Sequence, residues 1–136
     1  NDNMGNFIAE TVILEMARRK INPKEAKVLI LGLTFKENCP DIRNTKVVDL
    51  IKAFEDMKCN VDVYDPWVNQ DVALNEYQIK LIKKPIKGRY DAIVLAVAHD
   101  TFKDLSSKQI NAFGKDIHVI YDIKYLLSSE DVDGRL

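Results

Sequence analysis

Lys36 and Arg43 stand seven residues apart, just after the first strongly apolar run of this 136-residue chain. An ammonium is a compact partner for a phosphate or a sugar hydroxyl, and a guanidinium fork matches phosphate through paired hydrogen bonds. The amides that open a following helix would add further donors for an anion. Phe35, beside Lys36, can lie against a planar ring. Together they could hold an anion that carries a flat base. A plainer reading stands beside this one: loop cations are most often solvated surface, and a phenylalanine after a buried strand is most often core.

Other reactive side chains lead to less. Cys39 lies between the two cations, which could favour its thiolate, but an incidental loop thiol is the reading adopted. Cys59 reads as a small apolar residue ahead of a strand. His99 has the chemistry of an acid or base; it is read as a loop residue that supports others. His118, at the start of a strand, is read as structural. Neither histidine has metal-ligand spacing. Trp67 either packs against a partner domain or second subunit, or covers the surface of its own fold. The dinucleotide fingerprint G-x-G-x-x-G is absent after the first strand, where only Gly32 stands, and so is the P-loop. No catalytic residue and no metal ligand are assigned.

Hydrophobic periodicity supplies the elements that must position these residues. Met4, Phe7, Ile8, Val12 and Met16 predict a helix over 4–19, capped by Asp2 or Asn3 and ended by Asn22-Pro23. Strands are expected at Lys27–Leu31, Asn60–Tyr64, Ile79–Ile82 (short and weak), Tyr90–Val97 and His118–Asp122. Helices are expected at 45–57, 69–76 and 104–113, a loop at 32–44, and an exposed loop from Ser128 onward. This alternation predicts an α/β fold: a three-layer, doubly wound, mainly parallel sheet of about five strands, preceded by an N-terminal helix. Ligands of such sheets sit beyond the carboxyl ends of the strands. That edge collects Lys36 and Arg43, then Asp65, His99 and Asp100, and finally Asp122 and Lys124.

Length and composition fit one domain with a real core. A formal charge of −1 offers no bulk attraction to nucleic acid or to an anionic membrane, and the apolar runs are too short to span a bilayer. The opening NDNMGNF has no basic start leading into an apolar run, so no secretory leader is expected. Two unpaired cysteines suit a reducing, cytoplasmic setting. The chain begins without Met, as expected of a piece of a longer protein.

The order Gly32, Phe35, Lys36, Asp41, Arg43, Thr45 resembles the signature that opens the UDP-binding domain of the UDP-glucose/GDP-mannose dehydrogenase family. The likeness extends over NDNMG at the start, VDVYDPWV (Val61 to Val68), AVAHDTF (Ala96 to Phe102), YDIK (Tyr121 to Lys124) and DGRL (Asp133 to Leu136). Its wording is most similar to the branch that oxidises UDP-N-acetylhexosamines for bacterial surface polysaccharides. The resemblance implies residues 1–22 as the end of a central dimerisation helix and 23–136 as the UDP-sugar-binding domain. It implies Phe35, Lys36 and Lys124 as contacts to a UDP-sugar, with lysine at 124 where many members place arginine and with Arg135 as a further candidate. Arg43 would reach NAD held by an N-terminal domain outside this stretch. The catalytic cysteine would lie in a central domain, and the full-length enzyme would be a homodimer. Asp41 would shape the loop, by pairing with Arg43 or by capping the next helix. Two other functions are weighed: a stand-alone nucleotide-binding or regulatory α/β module, whose natural example, a receiver with Asp65 as phosphoacceptor, fails for want of an acidic pair after the first strand and on the Lys36/Arg43 loop; and an interaction-only module whose first helix dimerises, which has no need of that motif.

Overall fold

The computed structural model describes residues 4–136, so a cap from Asp2 or Asn3 lies outside the described residues. In chain order the elements are α1 (Met4–Arg18), β1 (Lys27–Leu31), α2 (Val47–Asp56), β2 (Asn60–Tyr64), α3 (Gln70–Tyr77), β3 (Tyr90–Leu95), α4 (Asp100–Lys103), α5 (Ser107–Asn111), β4 (Gly114–Asp122), a 3-10 turn (Ser129–Asp131) and β5 (Gly134–Arg135). The strands make one five-stranded sheet in the order β2-β1-β3-β4-β5, and each neighbouring pair is parallel.

Side chains alternate between the sheet's two faces, as strand geometry requires. Val28 and Ile30 of β1 join Ala92 and Val94 of β3 in one core with α1 and α2. Leu29 and Leu31 join Ile93 and Leu95 in the other, with Phe102 and Ile110 from α4 and α5. With both faces covered, β1 and β3 read as continuous apolar runs. Each fully buried Leu or Ile contributes roughly 1.5–3 kcal/mol of transfer free energy.

Helix α1 buries Gly5, Ile8, Ala9, Val12 and Met16. Phe7, expected on that face, is exposed. The small residues explain the rotation: a Cβ on Gly5 would lie 2.9 Å from the backbone of Asp49 and Leu50, so α1 and α2 approach backbone to backbone there.

Beyond shifts of one or two residues at element ends, four stretches differ from expectation. The segment 79–82 is not a strand. Gln78 takes a left-handed conformation that ends α3; Leu81 N–H then goes to the Gln70 side chain and Ile82 N–H to Val63 O, so no ladder forms. The fifth strand comes instead from the tail, where Asp133 receives Ile120 N–H (2.8 Å) and Arg19 (2.6 Å) and docks Gly134–Arg135 beside Tyr121 and Asp122. The expected helix over 104–113 is shortened to α5 (Ser107–Asn111), which Ser106 and Gln109 start with a capping box, and a separate short helix, α4, stands just ahead of that span. Strand β4 begins at Gly114, placing His118 in its interior. No helix among the described residues is long and apolar enough to cross a membrane.

Candidate functional site

Strand β1 feeds β2 on one side and β3 feeds β4 on the other, so the chain leaves the carboxyl ends of these two adjacent strands in opposite directions. That divergence opens a crevice. An open cleft of about 220 Å³ lies there, lined by Phe35 after β1, Lys46 and Val47 at the start of α2, Val97 after β3 and Lys124 after β4. Gly32 makes the approach possible. Its φ is +107°, and a Cβ would fall 2.5 Å from Val97 Cβ, so the two strand exits touch at a position only glycine fits.

Beyond Gly32, residues 33–38 are held by two buried polar groups. Asp65, at the end of β2, is 4% exposed and His99, after β3, is 0% exposed. Asp65 Oδ2 accepts Leu33 N–H (2.7 Å) and Thr34 N–H (3.2 Å) and bonds His99 Nε2 (2.9 Å). Asp65 Oδ1 accepts Trp67 N–H at 2.8 Å. His99 Nδ1 accepts Asn38 N–H at 2.9 Å, and Thr34 Oγ1 lies 3.2 Å from Nε2 while donating to Lys36 O at 2.8 Å. The Trp67 ring centroid lies 6.1 Å from that of His99. Trp67 therefore screens the buried pair while remaining 41% exposed. Since Asp65 spends both oxygens inside this network, it is not free to accept a phosphoryl group.

The residues expected at the site fall in two groups. Phe35, 58% exposed, and the exposed Lys124 line the cleft. Lys36 and Arg43 are exposed on the same loop, outside the cleft's lining. Arg43 forks onto Asp41: its Nε and N–H reach Oδ1 at 3.0 and 2.9 Å, and its terminal nitrogen reaches Oδ2 at 3.0 Å. The guanidinium hydrogen bonds hold the Asp41 carboxyl below its ordinary range and raise Arg43 in turn. Asp41 thus pairs with Arg43 and does not cap α2, whose N-cap is Lys46 without a side-chain bond. Thr45 Oγ1 instead accepts Val47 N–H at 3.2 Å. Arg135 is not in the cleft's lining; its guanidinium lies 3.9 Å from the centre of the Tyr125 ring. Cys39 is partly exposed; Cys59 is buried, and burial pushes its thiol up. No cluster of metal-ligating side chains occurs among the described residues.

The model of the UDP-glucose/GDP-mannose dehydrogenase family, UDP binding domain, matches residues 29–129. The chain belongs to this family. It is 48% identical to the UDP-N-acetyl-D-glucosamine 6-dehydrogenase of Salmonella typhi and 47% identical to that of Pseudomonas aeruginosa, over 100% of this chain in both cases. It spans 32% of the length of each of these relatives. Among solved structures, UDP-D-ManNAc dehydrogenase from Pyrococcus horikoshii superposes with a TM-score of 0.75 at 26% identity, over 99% of this chain and 31% of that one. The family expected from the Gly32-to-Arg43 loop is therefore the one found.

Within this UDP-binding domain, two features escaped the sequence reading. Lys46 lines the cleft, signalled only by its place before a helical run. The burial of the Asp65–His99 pair was hidden as well: both were placed on the rim, but periodicity does not tell a rim side chain that points inward from one that points out.

Proposed function

We propose that these residues are the C-terminal nucleotide-sugar-binding part of an NAD-dependent UDP-sugar 6-dehydrogenase. The enzyme would oxidise the C6 alcohol of a UDP-N-acetylhexosamine or UDP-glucose to the uronate, for surface polysaccharide biosynthesis in the cytoplasm. The observation that carries this reading is the cleft at the sheet's crossover point, in a chain of this family, with Phe35 and two lysines on its wall. Phe35 offers its exposed ring to the uracil or sugar. Lys46 and Lys124 face the diphosphate, and Lys36 adds positive charge from the adjoining loop. Asp49 also lines the cleft in the first turn of α2. It occupies part of the positive end of the helix dipole, so the lysines carry most of the attraction for the anion.

NAD is proposed to sit mainly on the portion of the enzyme outside this chain, as is the catalytic cysteine. The residues here do not fit a dinucleotide cradle. Beyond Gly32, β1 leads into a long loop over 33–46 instead of a tight glycine turn, and Gly32 itself is packed against Val97. Arg43, with 85% of its side chain exposed and its fork oriented by Asp41, is the one group proposed to reach toward that cofactor. Residues 1–22 are proposed as the end of a central helix that serves a homodimer in the whole enzyme, and 23–136 as the binding domain.

Calorimetric titration with UDP tests the reading. The 136-residue chain is expected to bind UDP weakly and to turn over no UDP-sugar with NAD. Lys36→Ala should weaken binding about tenfold at low salt while leaving stability within about 0.5 kcal/mol. A folded chain that ignores UDP, or equal binding by the variant, would count against it.

A further inference from the structure

We infer that His99 is a positioning residue for the ligand loop, acting through the hydrogen-bond acceptor at Nδ1; this rests on the UDP-binding reading above. A backbone N–H can only donate. The 2.9 Å bond from Asn38 N–H therefore requires Nδ1 to be unprotonated, which puts the imidazole proton on Nε2. That proton points to Asp65 Oδ2 at 2.9 Å, with Thr34 Oγ1 at 3.2 Å as a second acceptor. Thr34 is free to accept because its own hydroxyl proton goes to Lys36 O at 2.8 Å. The direction of every bond follows from those two fixed points.

The ring thus links the two ends of the short segment that carries Phe35 and Lys36. At one end Thr34 is gripped through its hydroxyl, and at the other Asn38 through its amide. Asn38 stands at φ +55°, a left-handed conformation that asparagine adopts more readily than most residues with a Cβ. Its side-chain oxygen accepts Asp100 N–H at 3.0 Å, adding a second tie to the same turn. Phe35 N–H meets Asp41 O at 2.8 Å from the loop's far side. The imidazole is walled in by Trp67 and by Phe102, whose centroid is 5.5 Å away, so it has no other place to go. An apolar filler would occupy the volume but leave Asn38 N–H unpaired, and the cation-bearing turn would be released.

The experiment separates the two ring nitrogens. His99→Asn keeps a polar oxygen near the position of Nδ1, and His99→Gln keeps a donor near Nε2. Both should lower stability, so stability cannot tell them apart. Two readouts can: hydrogen exchange at the Asn38 amide, and UDP affinity by calorimetry. The Asn variant should protect the Asn38 amide and bind UDP within about twofold of the parent chain. In the Gln variant that amide should exchange, and UDP binding weaken, by about fivefold or more. Equal behaviour of the two variants overturns the inference. If the unaltered chain fails to bind UDP, or Lys36→Ala has no effect, the UDP reading fails by itself and the exchange measurement still decides the loop-holding role. Nitrogen-15 shifts of His99 in the unaltered chain guard against variants that do not fold. They should show the proton on Nε2 and a bare, hydrogen-bonded Nδ1; a proton on Nδ1 would overturn the inference.

Discussion

Two buried carboxylates, Asp65 and Asp91, stand at opposite ends of the sheet and do different work with the same chemistry. Asp91, 6% exposed at the start of β3, accepts Lys27 N–H at 2.8 Å and pairs with Lys115 at 3.0 Å. It fastens the amino end of one strand to that of its neighbours, and its partners are elements of the sheet itself. Asp65, at the carboxyl end of β2, accepts from Leu33, Thr34, Trp67 and His99, all of them beyond the strands. It fastens a loop. The amino end of the sheet is built to be closed. The carboxyl end is built to hold an irregular segment still, with Asn38 and Asn44 in left-handed conformations and Phe35 and Lys36 left exposed. Buried polar groups at the first end support the fold; at the second they support the site.

The contrast can be broken by substitution. Asp65→Ala removes the acceptor for four donors, three of them buried. It should cost about 4 kcal/mol in urea unfolding and abolish measurable UDP binding. Asp91→Ala should cost about 2 kcal/mol, chiefly for the unpaired Lys27 amide, because the Lys115 partner is 46% exposed and its ion pair adds little. UDP affinity should be unchanged. A fall in affinity there as large as in the Asp65 variant would erase the distinction between the two ends. The smallest effect sharpens it from the solvent side. The Asp41 carboxyl is depressed by its hydrogen bonds to Arg43, so whatever this pair adds to stability is present above the ordinary carboxylate pKa and lost as pH falls through the depressed value. Arg43→Ala should move the Asp41 titration, followed by NMR, back up toward that ordinary value with no measurable loss of fold. An unmoved titration would mean the fork does not hold Asp41.

Much of the fold was legible in the sequence because the core strands are buried on both faces. Uninterrupted apolar runs such as Val28 to Leu31 and Ala92 to Val97 admit few other readings. The fifth strand was not legible: β5 is two residues long, and what places it is the Asp133 side chain reaching Ile120 and Arg19. Long-range docking of that kind leaves no local pattern. The expected strand at 79–82 failed for the opposite reason: its residues look local enough to pair, but Ile79 and Leu81 give their amides to α3 and only Ile82 reaches β2. At the site, the Lys36–Arg43 loop could be found from motif order alone, and its place on the carboxyl edge followed from strand alternation. What residue types could not reveal was the loop's inner wiring. His99 and Asp65 look the same in sequence whether they face solvent or bury themselves beneath Trp67.

We expect the cleft between the exits of β1 and β3 to receive a uridine nucleotide while the amino end of the sheet stays inert. Amide chemical-shift mapping during a UDP titration tests it most directly. Shifts should concentrate at 34–38, at Lys46 and Val47, at Val97 and at Lys124, with Lys27, Asp91 and Lys115 unmoved. A titration that shifts the amino-end residues, or that leaves Phe35, Lys46 and Lys124 unmoved at saturating UDP, would contradict it.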